Sequence, residues 1–455
     1  MKRQLHLNLF IHGRGHHEAS WRHPAASPLA LTDIRYYVHV AQRAEAALFD
    51  SIFLADQLAL GGDVAQAPRT WLEPITVLAA LAMATQRVGL IATASTTYTE
   101  PFNLARQFAS IDHISNGRAA WNIVTSWLAT AAENFGAAGQ VSHGDRYDRG
   151  EEFMEVVNQL WDSWADDAVI DDRTSGAYAR RDRIRPISHH GEFYSVAGPL
   201  NMPRCPQGRP VLVQAGSSDS GRRFAARHAD AVFTAQMAKE AAQEFYADLK
   251  RLAAGGGRSP EHILILPGLS PMIGSTEAEA QRLAQEANEL TDPEVGRKRL
   301  SGRFGGYDFS HLPLGRPLVP EDFPDPQTVQ AARSRTEVII DLVRRDKPTL
   351  RQLLGYLAGA RGHYVTAGTP EQIAALIEDW FNTGAADGFN IMPPLLPAQL
   401  DAFSEGVIPI LQRRGLFRTE YVGTTLRDHY KLPRPASVFD DPTWTGVLRE
   451  SAAGV

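Results

Sequence analysis

The amino-acid sequence predicts an α/β chain that folds as a (β/α)8 TIM barrel with insertions, in a single domain over residues 1–455. Short β-rich runs alternate with amphipathic helical runs, which favours a parallel sheet with helical crossovers. There are eight runs of each kind, and this number favours a closed barrel over an open doubly wound sheet. The composition, 44% hydrophobic and 22% charged, is typical of globular proteins and excludes a disordered or fibrous chain.

The predicted strands are short runs separated from one another by helical runs. The first alternates apolar and polar side chains, as a half-buried strand does. Thr93, Ser95 and Thr97 alternate along the third strand and just beyond it. The eight predicted strands cover residues 5–11, 51–55, 88–94, 119–125, 211–215, 231–235, 263–269 and 389–392.

The predicted helices carry apolar residues at helical spacing and follow the strands one by one. The first has Thr32 or Asp33 in the position of an N-cap, where a side-chain oxygen can accept from a free backbone N–H. The eight predicted helices cover residues 32–48, 73–84, 103–114, 147–164, 218–228, 239–253, 276–290 and 397–413.

Two long stretches interrupt the alternation of strands and helices. Residues 166–209 are polar with Gly and Pro, and residues 291–369 contain Pro-rich patches and a helical pattern around 337–345. We interpret both as insertions into the barrel. The tail, residues 415–455, has no strong periodicity and is expected to wrap the surface.

Charge and cysteine content restrict the partners and the compartment. Lys and Arg number 46 against 52 Asp and Glu, so the net charge of −6 disfavours a nucleic-acid partner. Cys205 is the only cysteine, which excludes an intrachain disulfide and indicates a reducing compartment. The N-terminus lacks the pattern of a signal peptide, and the longest apolar stretch, residues 75–84, is too short to span a bilayer. We therefore expect a cytoplasmic protein without a membrane partner.

Candidate site residues follow the predicted strands, because barrel enzymes place their sites where strands end and loops begin. Gly216-Ser217-Ser218 opens a helix, and its backbone N–H groups, hydroxyls and helix dipole could form a small phosphate site. Alternatively, Ser218 serves only as a helix N-cap. His12 and His16 follow the first strand and suggest a metal-dependent hydrolase, but the intervening glycines argue against a helix that would present both imidazoles on one face. We expect no metal.

Several nucleotide and hydrolase signatures are absent from the sequence. A Gly-x-Gly-x-x-Gly run does not follow any predicted strand, so a Rossmann-type nicotinamide site is unsupported. There is also neither a Walker loop nor a Gly-x-Ser-x-Gly elbow.

An ordered series of motifs resembles the bacterial-luciferase-like flavin monooxygenases, within them the group of nitrilotriacetate, dibenzothiophene-sulfone and long-chain alkane monooxygenases. The resemblance covers essentially the whole chain. Its central motifs are TTYTEPF at 96–102, LAR at 104–106, SIDH at 110–113, GR at 117–118 and WNIVTS at 121–126. Further matches are WRHP at 21–24, FLAD at 53–56, NFG at 134–136, His143, RY at 146–147, QAGSS at 214–218, GLF at 415–417, Tyr421 and TLR at 425–427.

The resemblance implies a two-component monooxygenase that takes reduced FMN from a separate NAD(P)H:flavin reductase and uses dioxygen to oxygenate a small organic substrate. The absence of a nicotinamide motif agrees with that division of labour. The substrate stays open among a sulfone, a sulfur- or nitrogen-bearing acid, an aminopolycarboxylate and an alkane, and a homodimer or homotetramer is expected. Besides the metal-dependent hydrolase, the alternatives are a noncatalytic flavin-binding protein and a deazaflavin-dependent relative.

The resemblance also assigns roles around the flavin ring. Asp56 is expected near the ring, while Thr93 and Asn122 would hydrogen-bond its edge atoms. For Asp56 the alternative is a loop cap, and for Thr93 and Asn122 it is polar filling of the barrel interior. Trp127 departs from the smaller polar residue of the alkane-oxidising relative, so the shape of the pocket here is expected to differ.

The remaining assignments concern the phosphate and the substrate. His143 and Tyr147, four residues apart at a helix start, would reach the ribityl chain and the phosphate, unless they form a surface pair. Ser217 and Ser218 would hold the phosphate. His16 is the candidate catalytic residue on the substrate side, and the alternative is a solvated loop histidine.

The insertion at 291–369 is expected to include a mobile lid over the barrel mouth, because long loops of this kind tend to be lids that keep water from a reactive centre. Gly302, Gly305 and Gly306 are candidate hinges. On this hypothesis, removal of residues 301–315 would spare FMN binding but divert reduced flavin to hydrogen peroxide.

Overall fold

The computed structural model describes residues 3–60, 64, 68, 71–126, 129–136, 143–216, 218–325, 333–360 and 362–440. Eight parallel strands form a closed barrel, in the order β1-β2-β3-β4-β9-β10-β11-β13 with β13 pairing back to β1. These strands are β1 His6–Ile11, β2 Ser51–Leu54, β3 Gly89–Ser95, β4 Ala119–Val124, β9 Val211–Gln214, β10 Ala231–Thr234, β11 Leu264–Ile273 and β13 Gly388–Ile391.

Outside the barrel lie two hairpins and one edge strand. The hairpins occupy the first insertion, and the edge strand belongs to the second. They are β5 Val169–Asp172 with β6 Ala177–Ala179, β7 His189–His190 with β8 Ser195–Val196, and β12 Tyr364–Gly368.

The helices mostly follow the strands as crossovers, and several begin at side-chain caps. They are α1 Ile34–Ala46, α2 Pro74–Ala84, α3 Pro101–Ile114, α4 Ala129–Asn134, α5 His143–Trp161, α6 Asp219–His228, α7 Lys239–Gly255, α8 Glu277–Glu289, α9 Pro293–Arg303, α10 Arg333–Asp346, α11 Leu350–Ala360, α12 Pro370–Asn382, α13 Ala398–Ala402, α14 Ile408–Arg413 and α15 Leu426–His429. One turn of π-helix, Phe403–Val407, joins α13 to α14. None of the helices in the described part of the chain is long and apolar enough to cross a membrane.

All eight predicted strands are barrel strands, which confirms the predicted fold. The main difference is β12, which lies inside the predicted second insertion and pairs in parallel with Leu269–Ile273. This pairing uses the second half of β11, a strand of ten residues that continues beyond its predicted end. β12 is a short edge strand whose side chains are mostly half-buried, so its own sequence does not show the apolar run of a barrel strand. Its strand conformation depends on the pairing with β11.

The second insertion contains packed secondary structure. Helices α9, α10 and α11 surround a hydrophobic cluster whose members include Phe304, Phe309 and Phe323. The ring centroids of Phe304 and Phe309 lie 5.6 Å apart, and Phe309 is 1% exposed. Removal of residues 301–315 would therefore delete part of this core, so the role of the segment as a lid needs a test by point substitution.

Two compact units can be distinguished, of which the first comprises residues 1–55, 60–73 and 214–421. It contains a buried ion cluster beneath the first strands. The Asp50 carboxylate is fully buried, accepts from the Leu7 backbone N–H at 2.7 Å, and pairs with His6 and Arg418. Burial by itself would raise the pKa of Asp50, but Arg418 and His6 hold it below its usual value.

The second unit comprises residues 56–59, 74–213 and 422–455. Trp121 on β4 is buried against Trp161 on α5, and their indole N–H groups donate to the carbonyls of Ala94 and Ala105 at 3.0 and 2.9 Å. Glu152 on α5 accepts from two backbone N–H groups of the first insertion, those of Phe193 and Tyr194 between β7 and β8. These contacts order the insertion against the helix.

Asp112, at the last turn of α3 in the second unit, is expected to make the protein less stable as the pH rises. Burial raises its pKa to about 6, while its Oδ1 accepts from Gln207 Nε2 at 2.6 Å and from the Ala119 N–H at 3.2 Å. The pKa of Asp112 is higher in the folded state than in the unfolded state. The contribution of Asp112 to stability is therefore fully present below about pH 4 and is lost as the pH rises through 6. A shift of about two pKa units corresponds to roughly 3 kcal/mol.

Asp112→Asn should therefore remove most of this pH dependence and gain stability at pH 7.5 but not at pH 4.5, as measured by urea unfolding at both values. Asp166 provides an oppositely signed control, because Arg434 lowers the pKa of Asp166. Equal pH slopes for wild type and Asp112→Asn would contradict the expectation.

Candidate active site

The ends of β3 and β4 carry a buried polar pair. Thr93 and Asn122 are direct partners in the parallel register, which places both side chains at the same level. Asn122 Nδ2 donates to Thr93 Oγ1 at 2.9 Å. Asn122 is 2% exposed and Thr93 is 5% exposed. Within the described chain, Asn122 Oδ1 is buried and receives no hydrogen bond. A buried acceptor without a donor costs about 1–3 kcal/mol, so a ligand N–H at this position would stabilise it.

A cation lies in the same unit, at the loop that follows β4. Arg146, in the first turns of α5, is 7% exposed and donates to the Ser126 carbonyl at 2.9 Å. Burial lowers its pKa, and among the described residues no carboxylate pairs with it. The Ser126 hydroxyl in turn donates to Ser95 Oγ at 2.7 Å. The sequence motif contained Arg146, but its lack of an acidic partner depends on the fold.

The other predicted flavin residues of this unit have simpler surroundings. Asp56 comes two residues after β2, and its Oδ1 accepts from the Gln57 N–H at 2.8 Å. Tyr147 is half-buried on α5. His143 begins that helix, as predicted for a helix start, while its side chain and all of Trp127 lie outside the described residues.

In the first unit, the turn after β1 buries His16. Its Nε2 lies 2.8 Å from the Phe10 carbonyl oxygen, and its ring contacts the Phe10 ring edge-on at 4.6 Å between centroids. Gly15 permits the turn, since its φ is +136° and a Cβ there would collide with the Pro394 carbonyl. His16 is 1% exposed, so the alternative of a solvated loop histidine is wrong.

Ser218 caps α6, and its Oγ accepts from the Gly221 N–H at 3.2 Å. Ser218 is therefore an N-cap, and its role at a phosphate stays a prediction. The hydroxyl proton is still available to a phosphate, because a serine can accept and donate at once. Ser217 lies outside the described residues, so the phosphate site remains a prediction.

A metal centre gains no support. The rings of His12 and His16 lie 5.5 Å apart, but the described residues contain no group of three or more His, Cys, Asp or Glu that could hold a metal ion. The closed parallel barrel is the fold of the TIM-barrel enzymes, which place their active sites at the carboxyl ends of the strands.

Comparison with known proteins specifies the family. The sequence profile of the luciferase-like monooxygenases matches residues 14–387, and the chain belongs to that family. It is 47% identical to N-acetyl-S-(2-succino)cysteine monooxygenase of Bacillus subtilis (strain 168), over 96% of this chain and 98% of the relative. It is 46% identical to nitrilotriacetate monooxygenase component A of Aminobacter aminovorans, over 97% and 99%.

The solved structures include a riboflavin lyase with modified FMN and riboflavin bound. It has a TM-score of 0.82 and 31% identity, over 94% of this chain and 95% of that chain. The prediction of a flavin-dependent monooxygenase that uses reduced FMN is confirmed, and the metal-dependent hydrolase is excluded.

Proposed function

We propose that reduced FMN binds at the ends of β3 and β4, where Asn122 Oδ1 accepts a hydrogen bond from a ring N–H. The buried Asn122 oxygen without a donor carries this proposal, because the edge of a reduced flavin presents N–H groups. Thr93 fixes the orientation of the Asn122 amide. When bound, reduced FMN supplies the electrons for oxygen activation.

Further residues of the second unit would hold the rest of the cofactor. Arg146 supplies a positive charge that no carboxylate of the described residues pairs with, and it orders the turn after β4 through the Ser126 carbonyl. His143 and Tyr147, on the same helix, are proposed for the ribityl chain and phosphate, and Asp56 for the surroundings of the ring. The assignments of Ser217 and Ser218 to the phosphate, and of His16 to the substrate side, remain predictions from the family resemblance.

Asn122→Leu should weaken the binding of reduced FMN by about 2- to 10-fold, the value of one ordinary hydrogen bond. The free protein should lose little stability, because the variant also removes a buried acceptor without a donor. Anaerobic titration with reduced FMN measures the affinity, and Thr93→Ser, which keeps the hydroxyl, is the matched control. Unchanged affinity in Asn122→Leu would move the ring away from this pair.

The reductant should come from a second protein. The purified chain alone is expected not to oxidise NADH or NADPH at a useful rate, since no dinucleotide fingerprint follows a strand. Adding any NAD(P)H:flavin reductase with FMN should start substrate-dependent oxygen consumption. FMN-dependent NADH oxidation by the chain alone, followed by absorbance at 340 nm, would contradict the two-component proposal.

The assembly and the compartment belong to the same proposal. A homodimer or homotetramer and a cytoplasmic location are what the family resemblance and the single cysteine favour. Sedimentation at several protein concentrations tests the assembly, and a monomer at all of them would contradict it.

A further inference from the structure

A cavity of about 390 Å³ opens beside the end of β10 in the first unit. Its volume falls in the range of small-molecule sites. The wall includes Phe233 and His363, whose rings stack at 4.7 Å with 5° between their planes, and both residues are buried. Arg303, the last residue of α9, also lines it. The cavity therefore combines an aromatic wall with two guanidinium groups, those of Arg222 and Arg303, and with four carboxyl groups, those of Glu244, Asp248, Glu337 and Asp341.

Among the described residues, the charge of Arg303 has no direct partner. Burial lowers its pKa, and the groups that act on it are Glu18, which favours the charge, and Arg299, which opposes it. Glu18 is itself ion-paired with Arg299. Arg299 and Arg303 are one turn apart on α9, so two guanidinium groups share one carboxylate on that helix face. In the described structure, Arg303 forms neither a hydrogen bond nor an ion pair within 4 Å.

The acidic residues that also line the cavity do not neutralise Arg303. Glu244 and Glu337 are exposed, so their charges are screened by solvent and salt. Asp341 pairs with Arg344, and Asp248 lies 3.3 Å from Arg222 Nε. Within the described part of the chain, this half-buried guanidinium therefore faces the cavity without a carboxylate paired to it. Such a group is costly to leave unpaired, and a planar carboxylate matches its donors.

We infer that Arg303 binds a carboxylate of the substrate, so that the monooxygenase acts on small organic acids rather than on uncharged sulfones or alkanes. This inference rests on the proposed function, which it deepens by naming the substrate class. Phe233 and His363 would contact the less polar part of the acid. The other anion that could occupy the cavity is the phosphate of FMN, and the experiment separates the two.

The test measures binding directly, without flavin. Calorimetry with nitrilotriacetate and with N-acetyl-S-(2-succino)cysteine should show binding of at least one of them to the wild-type chain. Arg303→Met should weaken that binding about 10- to 100-fold, as expected for a lost charge-assisted hydrogen bond. Arg303→Lys should lose less, because it keeps the charge but not the two-pronged geometry. Arg282→Met, which removes an exposed cation of α8 whose ion-pair partners do not line the cavity, should bind the acids normally.

Two further measurements distinguish a failure of the carboxylate site from a failure of the proposed function. Reduced FMN affinity should be the same in Arg303→Met and wild type, and with a reductase present the Arg303→Met variant should show a raised KM for the acid. Dibenzothiophene sulfone should not stimulate coupled turnover. Loss of FMN affinity in Arg303→Met without loss of acid binding would assign the cavity to the flavin phosphate and overturn the inference.

Absence of acid binding to the wild-type chain, or unchanged binding in Arg303→Met, would also overturn it. Acid binding that depends on Arg303, in a chain that shows no flavin-dependent turnover with any probe, would instead contradict the proposed function and keep the carboxylate site.

Discussion

Arg418→Met is expected to lower the free energy of unfolding by about 3–5 kcal/mol, as removal of one partner from a buried ion pair does. Asp50 is 0% exposed and the Arg418 side chain 5%, so the charge left behind cannot reach solvent. His6 Nδ1, at 3.0 Å, and the Leu7 N–H are the contacts that remain to the carboxylate. Urea unfolding at pH 7 measures the loss.

The physical reason predicts a pH signature as well. The pKa of Asp50 is below its usual value in the folded protein, so its contribution to stability is present above the unfolded pKa and is lost as the pH falls through the folded one. In Arg418→Met that pKa should rise, because burial is no longer opposed by the guanidinium. The deficit against wild type should therefore shrink as the pH is lowered from 7 to 4.

A matched control is available at Arg414, the residue that follows α14. Arg414 donates to Glu378 at 2.7 Å, but both side chains are about one-third exposed. Arg414→Met should therefore cost less than about 1 kcal/mol. The double variant Asp50→Asn/Arg418→Met should recover part of the loss. Similar losses for Arg414→Met and Arg418→Met would show that burial does not determine the value of the Asp50–Arg418 pair.

Phe309→Ala is expected to destabilise the second insertion by about 3–5 kcal/mol, the usual cost of deleting a buried aromatic ring. The ring is 1% exposed and lies 5.4 and 5.6 Å from the rings of Phe323 and Phe304. If the insertion closes over the barrel mouth, local opening should let water reach the reaction. Product per reduced FMN should then fall and released hydrogen peroxide should rise, while FMN affinity is unchanged.

Single-turnover yields of product and hydrogen peroxide provide the measurement. Leu249→Ala is the control, because it deletes a fully buried side chain from a separate hydrophobic cluster on α7. It should lower stability without changing the ratio of the two yields. Equal ratios in Phe309→Ala and Leu249→Ala would show that the insertion does not act as a lid.

The barrel itself could be predicted because its signals are local and repeated. Each strand is a short apolar run, each crossover has helical periodicity, and caps such as Asp33 and Ser218 mark helix starts. The family resemblance depended on ordered motifs of the same local kind. Helix α12 begins with a capping box, Thr369 with Gln372, which is a local sequence signal of the same kind.

The chemistry of individual residues could be predicted less well. His16 was a candidate from its place after β1, but whether it is buried or solvated depends on Phe10 and Pro394. Arg303 carried no sequence signal, since arginines on a helical segment are ordinarily solvated. What distinguishes it is the pairing of Glu18 with Arg299, and these residues are far apart in the chain.

The sequence alone was sufficient for the order of the barrel strands and their crossover helices, for the closed barrel and for the flavin monooxygenase family, because periodicity, capping and motifs act over a few neighbouring residues. The tertiary contacts alone show that β12 joins the sheet and, among the described residues, that Asn122 Oδ1 receives no hydrogen bond and that Arg303 forms no ion pair with the carboxylates that line its cavity. These properties depend on which distant groups come together. Hydrogen bonding, desolvation and charge pairing are set by those neighbours, which local sequence patterns do not specify.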